Sequence, residues 1–408
     1  MIETEPIQLA DPTTLHSALV SGGTRADPHV EIIDSDERFH ALGPAWSALC
    51  DASHQQSVFG SWEWMSCWWH HYRHRWKLRV FTVMDGGGRL LGVVPLVRRL
   101  RFVGPIPIRC LSLMASEGAY ASHLDVIARE EDRDAVTRLF VDYVHAHSRR
   151  WDVIDFRGLA KGSALDSNLG AAPGRHWHSN ERGCPYVDLP NDWEEYRRSL
   201  KKKVRRNLNY FENLLRRECR SELRCRLAKT EAEVVQALDR LQEMHRRRIP
   251  DSALHDHTFA EFHKEFALSA LEAGWLRLYS LEVGDTTIAV LYCLSYKGCV
   301  SAYLSGFDPV WARYSPGRQI AALAIRDAIE EGANLFDWMQ GEDRYKYEWT
   351  DLQRVDRRRV NVVSSRGLVW LWAVRARHRL VQLARTRLSR QSRRLIRAGL
   401  SLRVLRFR

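Results

Sequence analysis

Apolar residues along this chain fall into strand-like and helix-like rhythms, and the rhythms follow the same order twice. A short apolar run at 30–33 reads as a strand, and spacing by threes and fours over 39–52 reads as a helix. The segment FGSWEWMSCWWHHY at 59–72 puts Trp64, Trp68 and Tyr72 on one helical stripe, with Ser61 placed to cap its start. Strand-rich runs at 78–84 and 90–97, joined by Asp85-Gly86-Gly87-Gly88, make a hairpin. A helix over 131–148 then leads into a strand over 151–156 that ends at Arg157-Gly158.

The second pass begins with a long charged helix over 193–217 and a strand at 223–227. Helices follow at 231–247 and 258–273, then a hairpin of 275–281 with 287–295 around Gly284-Asp285. A strand at 300–305, a helix over 317–331 closed by Gly332, and a strand at 334–339 complete it. LRVFTVMDGGGRLLGVVPLV at Leu78 is matched by LRLYSLEVGDTTIAVLYCLS at Leu276, and VIDFRG around Asp155 by LFDWMQG around Asp337. These correspondences point to an internal duplication, and the alternation of strands and helices predicts an α/β architecture. The expected organisation is a mobile arm at 1–30, a first unit at 31–190, a second at 191–365, and a basic helical tail at 366–408.

Charge sharpens that division. The net charge is +12, yet 366–408 alone holds 13 arginines and no acid, so the body before it is close to neutral. A nucleic-acid footprint would spread basic charge over a folded face. The eight cysteines form no C-x-x-C pair and no His/Cys cluster with zinc spacing, so reduced thiols and no metal are expected. The first residues lack a basic start and an apolar core, and no apolar run reaches the ~18 residues a span needs. A cytoplasmic protein is expected.

Candidate chemistry collects between 300 and 350. Arg313-Tyr314-Ser315-Pro316-Gly317-Arg318 opens a clean helix, with Pro and Gly suited to its first turn. The first amides of a helix point outward with the positive end of the dipole behind them, so an anion fits there beside Arg313 and Arg318. The matching helix of the first unit opens on Glu130-Glu131-Asp132, which would repel phosphate. After the second-unit strand, Gln340-Gly341-Glu342-Asp343-Arg344-Tyr345-Lys346-Tyr347 packs acids, a lysine and tyrosines into one turn. Such a turn offers a base, a charge stabiliser and a proton donor. No Walker-A loop, G-x-G-x-x-G, Ser-His-Asp or Cys-His arrangement is present, which disfavours nucleotide hydrolysis and dinucleotide redox chemistry.

The string RYSPGRQI…AIEEGANLFDWMQGEDRYKYEWT, 313–350, resembles the acetyltransferases linked to cellulose biosynthesis. That family lies in the GNAT superfamily, near the FemABX-like aminoacyltransferases. FGSWEWMSCWW, GVVPLVRR, CPYVDLP and LKKKVRRNL lie in the same order, so the resemblance spans about 45–355. It implies tandem GNAT-like domains and direct attack of an acceptor amine, less readily a hydroxyl, on an acyl thioester. By matching position, Tyr314, Ser315, Gly317 and Arg318 with Arg313 would cradle the donor. Lys346 and Asp343 would stand beside the reacting carbonyl, with Tyr345 or Tyr347 to protonate the thiolate. Gly317 is followed by Arg318 and Gln319, a departure from the usual Arg/Gln-x-x-Gly-x-Gly/Ala loop. That departure leaves acyl-CoA or acetyl-CoA, an acyl-carrier protein, and aminoacyl-tRNA as donors.

The expected acceptor is a small molecule or a cell-envelope or exopolysaccharide precursor. Trp64 and Trp68 are candidates for its binding wall, against the alternative that they pack a core. Arg205, in the basic face SLKKKVRRNLN, and His245, beside Arg246 to Arg248, are candidates for an anionic acceptor or a tRNA end. The alternative to thioester chemistry is FemABX-like transfer from aminoacyl-tRNA, and the non-catalytic alternative is a GNAT scaffold in a membrane-associated biosynthetic complex. In the tail, Trp370, Val374, Val381, Ala384, Leu388 and Leu395 form a stripe between arginines. It fits a helix lying on the inner face of an anionic membrane, with packing on the body and RNA binding as rivals.

Overall fold

The computed structural model describes residues 28–218, 222–341 and 343–387. The first unit opens with β1 (His29–Ile33), α1 (Asp36–Ala41), α2 (Gly43–Ala52) and α3 (Trp62–Tyr72). Then come β2 (Lys77–Leu78), β3 (Val80–Met84), β4 (Leu90–Val94), β5 (Leu96–Val103), β6 (Ile106–Leu113) and β7 (Ile127–Ala128). It closes with α4 (Glu130–Ala146), β8 (Val153–Ala160), α5 (Ala164–Ala171) and β9 (His176–Asp188). The second unit starts with α6 (Trp193–Ser199), α7 (Lys202–Glu218), β10 (Leu223–Leu227), α8 (Glu231–Arg248) and α9 (His257–Glu272). It continues with β11 (Leu276–Val283), β12 (Thr286–Tyr296), β13 (Cys299–Phe307), α10 (Pro316–Glu330) and β14 (Leu335–Asp337). β15 (Gln353–Val362) and α11 (Ser365–Arg387) end the described chain.

The architecture is mixed α/β, with two sheets flanked by helices. Both expected hairpins form, β3 with β4 and β11 with β12, each antiparallel. One sheet has the order β1-β3-β4-β7, the other β10-β11-β12-β13-β14-β9-β15-β8-β6-β5-β2. The long sheet therefore crosses from one unit to the other: β9 pairs with β14 on one side and β15 on the other. β15, late in the chain, lies between two first-unit strands.

Two expected single helices are each broken in two. The first breaks at Leu42, where Pro44 supplies no amide and Leu42 turns into the core. The second breaks at Leu200, extended at φ −62° and ψ 148° and buried, so it plugs the core between α6 and α7. α8 and α9 cover one face of the second-unit sheet, while α6, α7 and α10 cover the other. α3 packs on α9, so the aromatic helix joins the two units. Trp64 meets Phe262, Phe266, Phe59 and Tyr303 at ring-centroid distances of 4.6 to 5.7 Å.

The arm before residue 28 and the tail beyond 387, with Leu388 and Leu395, lie outside the described residues. Within α11, the stripe residues Trp370 and Val374 pack, with Leu371, against Ile108, Val153 and Val360 of the sheet. That part of the stripe faces the protein body. Leu368, Trp372, Leu380 and Leu383 are large apolar residues that α11 leaves exposed. No described helix is long and apolar enough to cross a membrane.

Candidate functional site

β13 and β14 are parallel neighbours over only three residue pairs, Cys299 to Ser301 with Leu335 to Asp337. β13 runs on to Phe307, whereas the chain after β14 turns toward β9, the Trp338 amide donating to the Pro185 carbonyl at 2.9 Å. The strands thus part at their carboxyl ends, the end of an α/β sheet where ligands collect. α10 connects them and begins at the mouth of this cleft. Ser315 sits in the left-handed region at φ 50°, Pro316 takes the first position, and no side chain caps the amides. No acid stands in the first turn, so the dipole's positive end is uncancelled from within the helix.

The two arginines expected beside this terminus are already engaged. Arg318 makes a two-pronged bond to Glu348, 2.9 Å on each arm, and reaches Ser315 Oγ at 3.3 Å. Arg313 pairs with Glu218 at 2.6 Å, and the Tyr314 hydroxyl donates to the same carboxylate at 3.1 Å. Pro316 has no amide and that of Arg318 donates to the Ser315 carbonyl at 3.0 Å, so a phosphate here would meet the Gly317 amide and would share the Arg318 side chain with Glu348.

The turn after β14 divides the residues that sequence had grouped. Lys346 is buried beneath it, its ammonium donating to the carbonyls of Trp338, Met339 and Gln340 at 2.8, 3.3 and 2.9 Å. It fixes the strand end rather than presenting a charge to a reacting group. Gly341 at φ 134° is required: a Cβ there would stand 3.0 Å from Lys346 Nζ and 3.1 Å from Asp343 Oδ2. Tyr345 turns the other way, against Trp338 and toward the Ser305 side chain. Burial, then the Asp343 carboxylate, raise its pKa above the usual phenol value, so it stays protonated. Tyr347 leaves this group and donates to Gln353 at 3.0 Å beside Gly183.

Arg248 joins the mouth from the end of α8, its guanidinium 4.1 Å above the Phe307 ring and under the influence of Tyr345 and Asp343. Sequence had shown only a basic run here, and nothing in it singled out Arg248 or Ser305. His245, in the same run, is buried and structural. Its ring accepts from Ser252 Oγ at 2.7 Å and donates to the Ser305 carbonyl at 3.0 Å, and burial lowers its pKa. Arg205 bonds to the Arg198 carbonyl within the α6–α7 bend, apart from this cluster. Trp64 and Trp68 are both 0% exposed, so they are packing residues and no acceptor can lie against them.

A further contact escaped sequence reading. His123, from the first unit, lies between Asp337 at the end of β14 (2.8 Å) and Asp356 of β15 (3.0 Å). Burial opposes its charge, but the two carboxylates prevail and raise its pKa to about 10. His123 is thus an imidazolium at neutral pH, tying the first unit to the donor strand.

Residues 202–347, which hold the parted strands, α10 and the Lys346 turn, match the family model described as an acetyltransferase (GNAT) domain. The second unit carries a GNAT domain. The chain is therefore an acyltransferase by its domain content. Among solved structures it resembles FemX at 9% identity with a TM-score of 0.56, covering 81% of this chain and 96% of that one. It resembles L-PGS from Bacillus licheniformis at 12% identity and 0.51, covering 84% and 96%. A conserved protein of unknown function from Bacteroides thetaiotaomicron VPI-5482 aligns at 13% identity and 0.51, covering 82% and 100%. At these identities the likeness shows the fold, and it runs through both units. No curated protein matches the chain.

Proposed function

We propose that the GNAT domain transfers an acyl group from a thioester directly to an acceptor amine in the cleft between β13 and β14. The observation that carries this reading is the parting of those strands at the uncapped start of α10. Acyl-CoA or acetyl-CoA would lay its phosphates on the Gly317 amide at the start of α10, beside Arg318, with an acyl-carrier protein as the other thioester source. The amine attacks the thioester carbonyl carbon, and Asp343 takes the amine proton. As the C–S bond breaks, Tyr345 protonates the leaving thiolate. Arg248 and the free edge of β13 offer positive charge and amides to the developing oxyanion. Lys346 is a positioning residue that holds the turn carrying Asp343 and Tyr345.

The acceptor we favour is an amine on a small or cell-envelope precursor, consistent with the resemblance to acetyltransferases linked to cellulose biosynthesis. The exposed face of α11, with Trp372, Leu380 and Leu383 among Arg375 and Arg379, suits attachment to an anionic membrane surface. Transfer from aminoacyl-tRNA is the second reading, favoured by the likeness to FemX and the exposed Lys202 and Lys203 on α7. Titration of the full chain with acetyl-CoA, longer acyl-CoAs and aminoacyl-tRNA separates them. Acyl-CoA binding that weakens in R318A supports the first reading. Micromolar tRNA binding without CoA binding would replace it with the second, and binding of neither would leave a scaffold.

A further inference from the structure

A second cavity lies outside the transfer cleft. Its volume is about 450 Å³, and it opens where the 116–121 loop, the end of β8, β15 and α11 meet, with Gln340 on its wall. Its walls are unusually cationic. Arg157, Arg358 and Arg377 line it, and Arg99 and Arg101 stand behind the loop residue Glu117. Among the described residues, the ion pairs of Arg99, Arg101, Arg157 and Arg358 run to two carboxylates. Glu117 is shared by Arg99, Arg101 and Arg157, and Asp155 takes both prongs of Arg358 at 2.8 and 2.6 Å.

The excess has measurable consequences in the side chains. Burial, then repulsion from Arg157, Arg358 and Arg101, depresses the pKa of Arg377, and Glu117 only partly offsets this. The Nε atoms of Arg99 and Arg101 are buried without a hydrogen-bond partner among the described residues. Gathering like charges around a hollow is unfavourable unless something negative fills it. Other walls suit an oxyanion with an organic part. Trp177, braced edge-on by His378 at 5.2 Å, offers an apolar face, and Ser179 and Gln340 offer polar groups. Guanidinium forks match the paired oxygens of a phosphoryl group better than a single point charge does.

We propose that this cavity binds the phosphoryl group of a second ligand, independently of the donor cleft. The ligand is a phosphate mono- or diester, reached either as a soluble compound or as a lipid headgroup presented beside α11. The site does not depend on the thioester reading, because its arginines lie on β8, β15 and α11 rather than on α10.

The test uses the full chain, inorganic pyrophosphate as the soluble probe, and phosphatidic acid in phosphatidylcholine vesicles as the lipid probe. The variants are R377Q, which removes the cavity charge from an exposed helix, and R379Q, two residues along on the same helix. R318A reports on the donor cleft. Pyrophosphate affinity measured by titration calorimetry in the R318A background, where the donor cleft is weakened, is expected to fall about tenfold when R377Q is added and to hold when R379Q is added. A fall in R377Q confined to phosphatidic acid vesicles would assign the lipid source, and one confined to pyrophosphate the soluble source. Equal effects of R377Q and R379Q on both probes would overturn the proposal. So would pyrophosphate affinity lost in R318A but kept in R377Q, or no binding of either probe by the unaltered protein at about 0.1 M salt.

Discussion

Asp155 lies within β8 and Asp337 at the end of β14, and their surroundings differ in kind. Asp155 is sealed inside its strand: Arg358 grips it with two bonds, Trp370 donates to it at 3.2 Å, and burial is more than offset, so its pKa lies far below normal. Next to it Gly158, at φ 67°, is pressed so closely on the Ala121 carbonyl that a Cβ would stand 2.5 Å away. The helix that precedes this strand, α4, begins with Glu130, Glu131 and Asp132. Asp337 ends an open strand. Its partner is a histidine from the other unit, and the helix before it begins without acids or a cap. One carboxylate is held by permanent ions, the other by a titratable tie.

Removing Lys346 should expose the contrast most strongly. Lys346→Ala leaves three carbonyls without their donor and frees the turn that carries Asp343 and Tyr345. Turnover is expected to drop by about 10²-fold or more, and stability by roughly 3 kcal/mol, read from steady-state kinetics and urea melts. Near-normal turnover in a folded variant would remove the turn from the mechanism.

His123→Gln tests the tie itself. Because His123 titrates near 10 when folded and 6.5 when unfolded, its contribution is fully present below about pH 6.5 and disappears as pH rises through 10. Melting temperature of the unaltered protein should therefore fall between pH 7 and 10.5, on the order of a few kcal/mol in stability. The glutamine variant should lose that part of the slope and start from a lower value. An identical alkaline slope in both would show that other groups set it.

The two helix starts are probed by smaller changes. Arg318→Ala should raise the donor KM about tenfold with little change in turnover, as expected for a contact made equally in ground and transition states. Glu130→Gln with Glu131→Gln should leave the donor KM unchanged and cost about 0.3–1 kcal/mol each through the α4 dipole. A donor KM that responds to the α4 pair would mean that the first unit also handles the donor.

Much of this contrast was legible in sequence. Hairpin turns and the differing first turns of α4 and α10 are local signals, set by residues adjacent in the chain, whereas the strand expected to end at Arg157-Gly158 runs on to Ala160. What escaped was non-local. β15 reads QRVDRRRVNV and gives no apolar alternation, because Arg358 and Arg359 are neutralised across the sheet by Asp155 and Asp166. β9, HWHSNERGCPYVD, likewise shows no apolar alternation in its first eight residues. Within the site, sequence placed Asp343, Tyr345, Lys346 and Tyr347 in one turn but could not show that the 3-10 geometry sends consecutive side chains to different places. Trp64 and Trp68 carried a stripe that suits a ligand wall and a helix interface equally. The decision came from Phe262 and Phe266 on α9, nearly two hundred residues later.

The position of β15 also bears on how the chain is made. β9 needs β14 on one edge and β15 on the other, and neither exists when Asp188 leaves the site of synthesis. At about 5–20 residues per second, roughly ten to thirty seconds pass before Gln353–Val362 arrives. During that interval a thirteen-residue strand has both edges bare, the state in which strands pair with neighbouring chains.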